Sequence, residues 1–275
     1  MKLTFLSENR KSPENSSLEI EHGLSIYIEI DNKKILCDFG TSDLYAKNAE
    51  ILDIDLNHID FAFISHGHFD HTGGLGHFLY KYRANIYASP DIFKYNFFSD
   101  RRRGDRLDIG TEKSLEKEFN TRFNYIKEST YIDKEETIAI VKTNVFKHPT
   151  PLCNCHLYKQ KGKIEELDDF SHELSLIFKT AKGLIIVSSC SHLGAMNIIE
   201  SCQKFTNTNT VDCFIGGLHF VDNDKTDEEV NYFIKQISNY HPNIKFLTGH
   251  CTGDKAKEIF AESSINLKFF RVGHF

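Results

Sequence analysis

The chain has 275 residues, of which 40% are hydrophobic, 26% charged and 12% aromatic; this is ordinary globular composition and excludes a disordered, collagen-like or low-complexity polypeptide. At about 150 residues per domain, that length allows two small domains or one large layered one. Its 33 Lys and Arg against 39 Asp and Glu leave a net charge of −6, which argues against a broad nucleic-acid or anionic-membrane footprint.

The chain starts MKLTFLSENR and meets Glu8 and Arg10 before any signal-like apolar core develops. No apolar run approaches the ~20 residues needed to span a bilayer, so a cytoplasmic protein with no membrane partner is expected. Short β-rich runs follow at 24–30, 33–40, 61–66 and 84–89, with Asp31-Asn32 as a hairpin turn between the first two. The stretch 90–170 reads differently. It has few periodic runs, a basic cluster RRRGDR at 101–106, and Pro149 and Pro151, so a long insertion within one domain, 1–275, is expected. Beyond it the alternation resumes, with strands at 173–180, 183–189, 211–217, 244–250 and 267–273 and a turn at Lys182-Gly183. Helical stripes follow Ser191 (Ile198, Cys202, Phe205), Thr226 (Val230, Phe233, Ile234, Ile237) and Thr252 (Ala256, Ile259, Phe260), and Thr226 with Glu229 has the spacing of a capping box. Strands and helices in this order predict an α/β fold with at least one large mixed sheet.

Seven cysteines, an odd number scattered over a long chain, read as reduced thiols. The unusual feature is histidine. There are 14, clustered beside Asp, Gly and Cys, and the densest cluster is Ser65-His66-Gly67-His68-Phe69-Asp70-His71. Four candidate ligands in six residues follow the apolar run FAFIS and precede the glycine-rich TGGLG, where a strand-to-helix turn can aim several side chains at one point. Imidazole with carboxylate suits Zn, Fe, Mn or Co. His66 and His68 alone lack a third protein ligand, and His192 and His250, each ending an apolar strand, are the downstream candidates. If strands 173–180 and 183–189 form a hairpin, His172 also reaches the sheet end of His192.

HGHFDH fits the HxHxDH motif, and the chain resembles the metallo-β-lactamase superfamily. The likeness extends through His22-Gly23-Leu24-Ser25, Cys37-Asp38-Phe39-Gly40, Asn48, Ser189-Cys190-Ser191-His192, Gly216-Gly217-Leu218-His219 and Gly249-His250-Cys251-Thr252-Gly253. In that order these motifs are similar to a branch containing the archaeal dihydropterin ribofuranosylaminobenzene phosphate synthase group and its bacterial relatives. The resemblance implies a four-layer αββα sandwich with a long insertion. It also implies one or two divalent transition metals, zinc first and Mn or Fe as alternatives, on His66, His68, Asp70, His71, His192 and His250. His192 takes the third position in this branch, whereas superfamily order would favour His172. SSCSH stands where a bridging Gly-Asp usually does, which puts Cys190 in place of a carboxylate and makes the second metal weaker or exchangeable. Asp38 is expected to hold the histidine loop by hydrogen bonds. Asp70 is expected to orient water or take its proton, and His219, with His22 and His172 behind it, to contact substrate.

The expected activity is metal-dependent hydrolysis of an ester, phosphoester or related small molecule by hydroxide generated at the metal. The alternatives are a condensing or transferase-type enzyme of pterin biosynthesis, and a metal-dependent ligand-binding or redox protein. The substrate is expected to be anionic. The 90–170 stretch is expected to cover the metal mouth, with Arg101, Arg102, Arg103 or Arg106 facing the anion. Cys153-Asn154-Cys155-His156 resembles a metal knot but has no second ligand pair at zinc-finger spacing. His58, His77, His148, His241 and His274 lack a partner pattern and read as surface residues.

Overall fold

The computed structural model describes residues 1–101 and 105–275. The chain divides into two compact units, Met1–Ile126 with His156–His172 and Phe270–Phe275, and Lys127–Cys155 with Glu173–Phe269. No helix among the described residues is long and apolar enough to cross a membrane.

The first unit is built on a seven-stranded mixed sheet. Its strand order is Gly273–His274, Lys2–Ser7, Ser25–Ile30, Lys33–Cys37, Phe61–Phe63, Ile86–Ala88 and Phe123–Tyr125. The Asp31-Asn32 turn forms as expected: both residues take left-handed φ values, 47° and 64°, as a two-residue primed turn requires. Lys33–Cys37, Phe61–Phe63 and Ile86–Ala88 run parallel, so their C-terminal ends share one edge. Asp38 and the histidine block begin at that edge. Beneath it the helices Leu44–Ile51 and Leu75–Lys81 bury Tyr45, Ala49, Phe78 and Leu79 against Phe39, Leu36 and Ile86. Burying a large apolar side chain of this kind contributes about 1.5–3 kcal/mol.

The second unit has its own seven-stranded sheet, in the order Asn266–Phe269, Lys245–Thr248, Val211–Ile215, Gly183–Val187, Leu174–Thr180, Ile138–Lys142 and Thr130–Tyr131. The first four of these are mutually parallel, and again their C-terminal ends lie together. The hairpin between Leu174–Thr180 and Gly183–Val187 forms, but Thr180 pairs with Gly183. The turn is therefore Ala181-Lys182, one residue earlier than expected, and Gly183 at φ 128° opens the next strand. The expected helices occur as Ala195–Thr206, Thr226–Tyr240 and Asp254–Glu262, with Ile198, Cys202, Val230, Phe233, Ile237, Ala256 and Phe260 buried. The capping box does not form. Thr226 Oγ1 instead exchanges hydrogen bonds with the Asn223 backbone, and the Glu229 carboxylate accepts from Leu152 N–H at 2.6 Å and Asn223 Nδ2 at 3.2 Å. A carboxylate with two donors from outside the helix has no reason to fold back on its terminus.

The stretch 90–170 is more regular than its sequence pattern suggests, because short strands of four or five residues leave little period-2 signal. Phe123–Tyr125 closes the first sheet, while Thr130–Tyr131 and Ile138–Lys142 extend the second. A separate four-stranded sheet in the first unit orders Ile164–Leu167, Leu157–Lys161, Asn96–Ser99 and Leu107–Asp108. Arg106 belongs to this small sheet: it pairs with Glu165 and lies over the rings of Phe98 and Tyr158 at 4.9 and 5.0 Å. Its guanidinium is thereby committed to the sheet, with Glu165 as partner. Arg101 is exposed, and Arg102 and Arg103 lie outside the described residues.

Candidate metal centre

In the first unit the histidine block leaves strand Phe61–Phe63 and enters the short helix Phe69–Thr72, with His68 at the N-cap position. Asp38, buried and at φ 59°, organises the turn. Its Oδ1 accepts from Ser65 N–H at 2.8 Å, and its Oδ2 accepts from the Ser65 hydroxyl at 2.7 Å and His71 Nδ1 at 2.9 Å. A carboxylate only accepts, so His71 carries its proton on Nδ1 and presents the Nε2 lone pair. Ser65, having given its proton to Asp38, accepts from His66 Nδ1 at 2.8 Å, which makes Nε2 the lone-pair nitrogen of His66 as well. The ring centroid of His66 lies 4.2 Å from that of His71 and 4.7 Å from that of His68. Burial first, and then the neighbouring imidazoles, push the protonation of His66 well below its usual range, and burial lowers that of His68. These rings are held neutral, the form that ligates a metal.

His172 is engaged differently. Gly67 N–H donates to its Nδ1 at 3.0 Å, and its Nε2 donates to Asp168 Oδ2 at 3.0 Å, so both ring nitrogens are committed to hydrogen bonds. His68 Nε2 lies 3.7 Å from the same Asp168 oxygen. His68, Asp168 and His172 thus place possible ligand atoms within 4.8 Å of one another. Since His172 serves as both acceptor and donor, it holds the Gly67 turn. Burial alone would raise the Asp168 carboxyl, but attraction to His172 and hydrogen bonds from His172 and His68 outweigh it and hold the group well below the usual carboxylate range. The segment after the small sheet straps the block: Phe69 N–H donates to Ile109 O at 2.8 Å, and the Thr111 hydroxyl donates to Gly67 O at 3.0 Å. Asp70 is half-buried, with Oδ2 3.3 Å from His22 Nε2 and 3.9 Å from His71 Nε2. Asn9 Nδ2 lies 3.3 Å from His22 Nδ1, so His22, expected to contact substrate, directs Nε2 at Asp70.

The second unit carries the other named residues at the ends of its parallel strands. Ser191, His219 and His250 follow three successive strands, and each takes a left-handed φ, 61°, 52° and 49°. Such values are uncommon outside glycine and cost of order 1–3 kcal/mol apiece. The Ser191 hydroxyl offsets part of this by donating to Gly217 O at 2.7 Å. Glu173, buried, accepts from His192 N–H at 2.7 Å and Leu193 N–H at 2.9 Å. The hairpin argument therefore holds, but it is Glu173 that reaches the turn at 191–193. Asn154 Nδ2 donates to His192 O at 2.8 Å, and its Oδ1 faces His192 Nδ1 at 3.5 Å, which turns the lone pair of His192 onto Nε2. The His219 ring lies 4.0 Å from that of His192, and its Nδ1 is 3.1 Å from Cys153 Sγ. Cys190, His250 and Cys251 place possible ligand atoms within 4.8 Å of one another.

Asp168 and Glu173 were not named in the sequence, where a lone acid carries no local signal, and Ser65 and Asn154 were named only as members of the histidine block and the Cys153–His156 run, with no role given to either. The Cys153–His156 run does not make a metal knot. Cys153 is buried on His219, Cys155 is exposed, and His156 Nδ1 pairs with Asp100 at 2.8 Å. Of the histidines read as surface residues, His148 is half-buried, with Nδ1 3.1 Å from the Tyr232 hydroxyl and Nε2 2.9 Å from Glu200.

A family model described as the metallo-β-lactamase superfamily matches residues 19–153. A 7,8-dihydropterin-6-methyl-4-(β-D-ribofuranosyl)-aminobenzene-5′-phosphate synthase of Methanocaldococcus jannaschii is 34% identical over 269 residues, covering 90% of this chain and 86% of the relative. An uncharacterised protein of the same organism is 29% identical over 241 residues, covering 86% of each. Among solved structures, Tm1679, a metal-dependent hydrolase of the β-lactamase superfamily, superposes with a TM-score of 0.80 at 25% identity, covering 99% of this chain and 97% of its own. The α/β fold expected from the motifs is the one these neighbours share, and this chain belongs to the metallo-β-lactamase superfamily.

Proposed function

We propose that this protein is a metal-dependent hydrolase of an ester, phosphoester or related small molecule. The observation that carries this reading is the Asp38–Ser65–His66 and Asp38–His71 network, which orients two buried imidazoles by their Nδ1 atoms and leaves Nε2 of each to face a metal. Such carboxylate–histidine arrangements set the tautomer and orientation of metal-binding rings. The donor set fits a borderline divalent cation, zinc before Mn or Fe, held by His66, His68 and His192, with Asp70, His71 and His250 for a second ion. When bound, one or two such ions polarise a substrate oxygen and bring the ionisation of water toward neutrality. Asp70, directed by His22, accepts the proton of the attacking water. His219, anchored by Cys153 and packed on His192, contacts the oxygen on which negative charge develops. His172 and Asp168 hold the Gly67 turn.

A second reading is favoured by the 34% identity to the archaeal synthase. There the same centre would stabilise a departing phosphate while an arylamine nitrogen, giving up its proton, replaces water as the nucleophile at the carbon that bore the phosphate, giving a condensation. One experiment separates the two. Protein purified without added metal, assayed for metal by elemental analysis, is offered bis(p-nitrophenyl) phosphate and p-nitrophenyl thioacetate. It is offered in parallel a dihydropterin bearing a phosphate leaving group on its methyl carbon together with a ribofuranosylaminobenzene phosphate. Turnover of the first pair, lost in His66→Ala, supports the hydrolase; coupling of the second pair without turnover of the first supports the synthase. Less than half an equivalent of metal, even after reconstitution, overturns both.

A further inference from the structure

Within the second unit a cavity of about 220 Å³ opens beside the loops that carry His192 and His219. Leu218 and Phe220, the two neighbours of His219, line it, as do Gly194, Ala195 and Met196, which follow His192. Its far side is Tyr232 and Phe233 from the helix Thr226–Tyr240, and its roof is the run from His148 to Leu152. The roof is tied down at three points. Asn197 Oδ1 accepts from the backbone N–H groups of Lys147 and His148 at 3.0 and 2.9 Å, Glu229 accepts from Leu152 N–H at 2.6 Å, and His148 links Tyr232 to Glu200. A wall held by so many bonds is pre-formed, which lowers the ordering cost of filling it.

The chemistry of the lining restricts what enters. Three aromatic rings, a methionine and two prolines make the surface predominantly apolar. Its charged groups are the carboxylates of Glu228 and Glu229, and the described lining contains no lysine or arginine. Carboxylates accept hydrogen bonds and repel anions, so a phosphate or carboxylate is excluded, whereas ring N–H or amino groups find acceptors at Glu228 and the Tyr232 hydroxyl. The volume also discriminates: it falls below the roughly 300–1,000 Å³ of pockets that enclose a whole ligand, so the cavity suits one ring system and leaves the rest of the molecule outside.

We infer that this cavity is the subsite for a planar, N–H-bearing aromatic portion of the substrate, with the anionic, reacting end directed toward His192 and His219. The inference rests on the metal-dependent reading for the reacting end only, since no lining residue is among the assigned metal ligands. Binding to the full-length protein stripped of metal by chelator is measured by calorimetry and ligand-observed NMR, with 2-aminobenzimidazole and the similar-sized anion benzimidazole-2-carboxylate as probes. The amine should bind at least tenfold more tightly than the carboxylate. Glu228→Lys should narrow or reverse that ratio, and Met196→Trp should abolish amine binding while its thermal melt still shows one cooperative transition. Equal binding of the two probes, or a ratio unchanged in Glu228→Lys, overturns the assignment. Should Met196→Trp fail to fold, Leu218→Trp and the Glu228→Lys ratio decide instead. Amine binding to the metal-free protein, combined with no turnover of either nitrophenyl substrate by the metal-reconstituted protein, would leave the subsite standing while removing the hydrolase reading.

Discussion

Asp38 Oδ2 and His71 Nδ1 lie 2.9 Å apart in a fully buried position, and this bond decides which nitrogen of His71 carries the proton. The same carboxylate, through Ser65, makes the same decision for His66. One acid at the end of strand Lys33–Cys37 thus sets the tautomers of two rings on the next turn.

Replacing Asp38 by Ala should weaken metal binding by about 10–100-fold, the usual consequence of losing a group that orients ligand histidines. It should also lower stability by about 1–3 kcal/mol, because the Ser65 N–H and the imidazole N–H become buried donors without an acceptor. Metal titration monitored by competition with a chelating dye, and denaturant unfolding of the metal-free protein, measure the two effects separately.

His192→Ala should strip the tightly held metal, whereas His172→Ala should leave most of it in place. The reason is that both nitrogens of His172 are engaged, with Gly67 N–H and Asp168, while Asn154 turns the lone pair of His192 onto Nε2. Zinc equivalents retained after dialysis report the order. The opposite ranking would restore His172 to the position that superfamily order gives it.

Glu173→Ala should cost about 1–3 kcal/mol, since the buried N–H groups of His192 and Leu193 lose the carboxylate that accepts from them. Glu173→Gln, which keeps one acceptor oxygen, should recover part of that. Urea midpoints at constant m-value provide the comparison.

Gly216→Ala should prevent folding or lower the melting temperature by many degrees. Gly216 sits at φ 137°, and an added Cβ would lie 1.8 Å from the Ser188 carbonyl oxygen. Backbone atoms on neighbouring parallel strands cannot yield that distance without breaking the ladder. Thermal scanning and solubility on expression read the result.

Metal-free protein should lose stability on acidification in two stages. His66 and His68 have folded-state values below the ordinary 6.5, so below about pH 6.5 the unfolded chain binds more protons at these groups and unfolding is favoured. Asp168, depressed in the folded state, contributes stability above the ordinary carboxylate value of 3.8 and loses it as pH falls further. Unfolding free energies between pH 8 and 2 should therefore decline first below about 6.5 and again below about 3.8, and His66→Gln should flatten the first decline.

Much of this protein is legible in its sequence. The nine strands expected from β-rich runs all occur, because period-2 and continuous apolar runs encode locally which face is buried. The histidine block was recognisable for the same kind of reason: four ligands in six residues are a feature of the chain itself. What the chain could not disclose is who answers whom across long separations. Gly67 and His172, bonded at 3.0 Å, are 105 residues apart, and nothing near Asp168 or Glu173 marks either as a partner of a histidine turn. Glu229 shows the converse, a local spacing that promises a cap until Leu152 and Asn223 supply better-placed donors. Local patterning decides which residues leave water, because burial depends on a repeating face. Tertiary packing alone decides the partner of each polar group, because a hydrogen bond depends on one distance and one direction that no short-range period can specify.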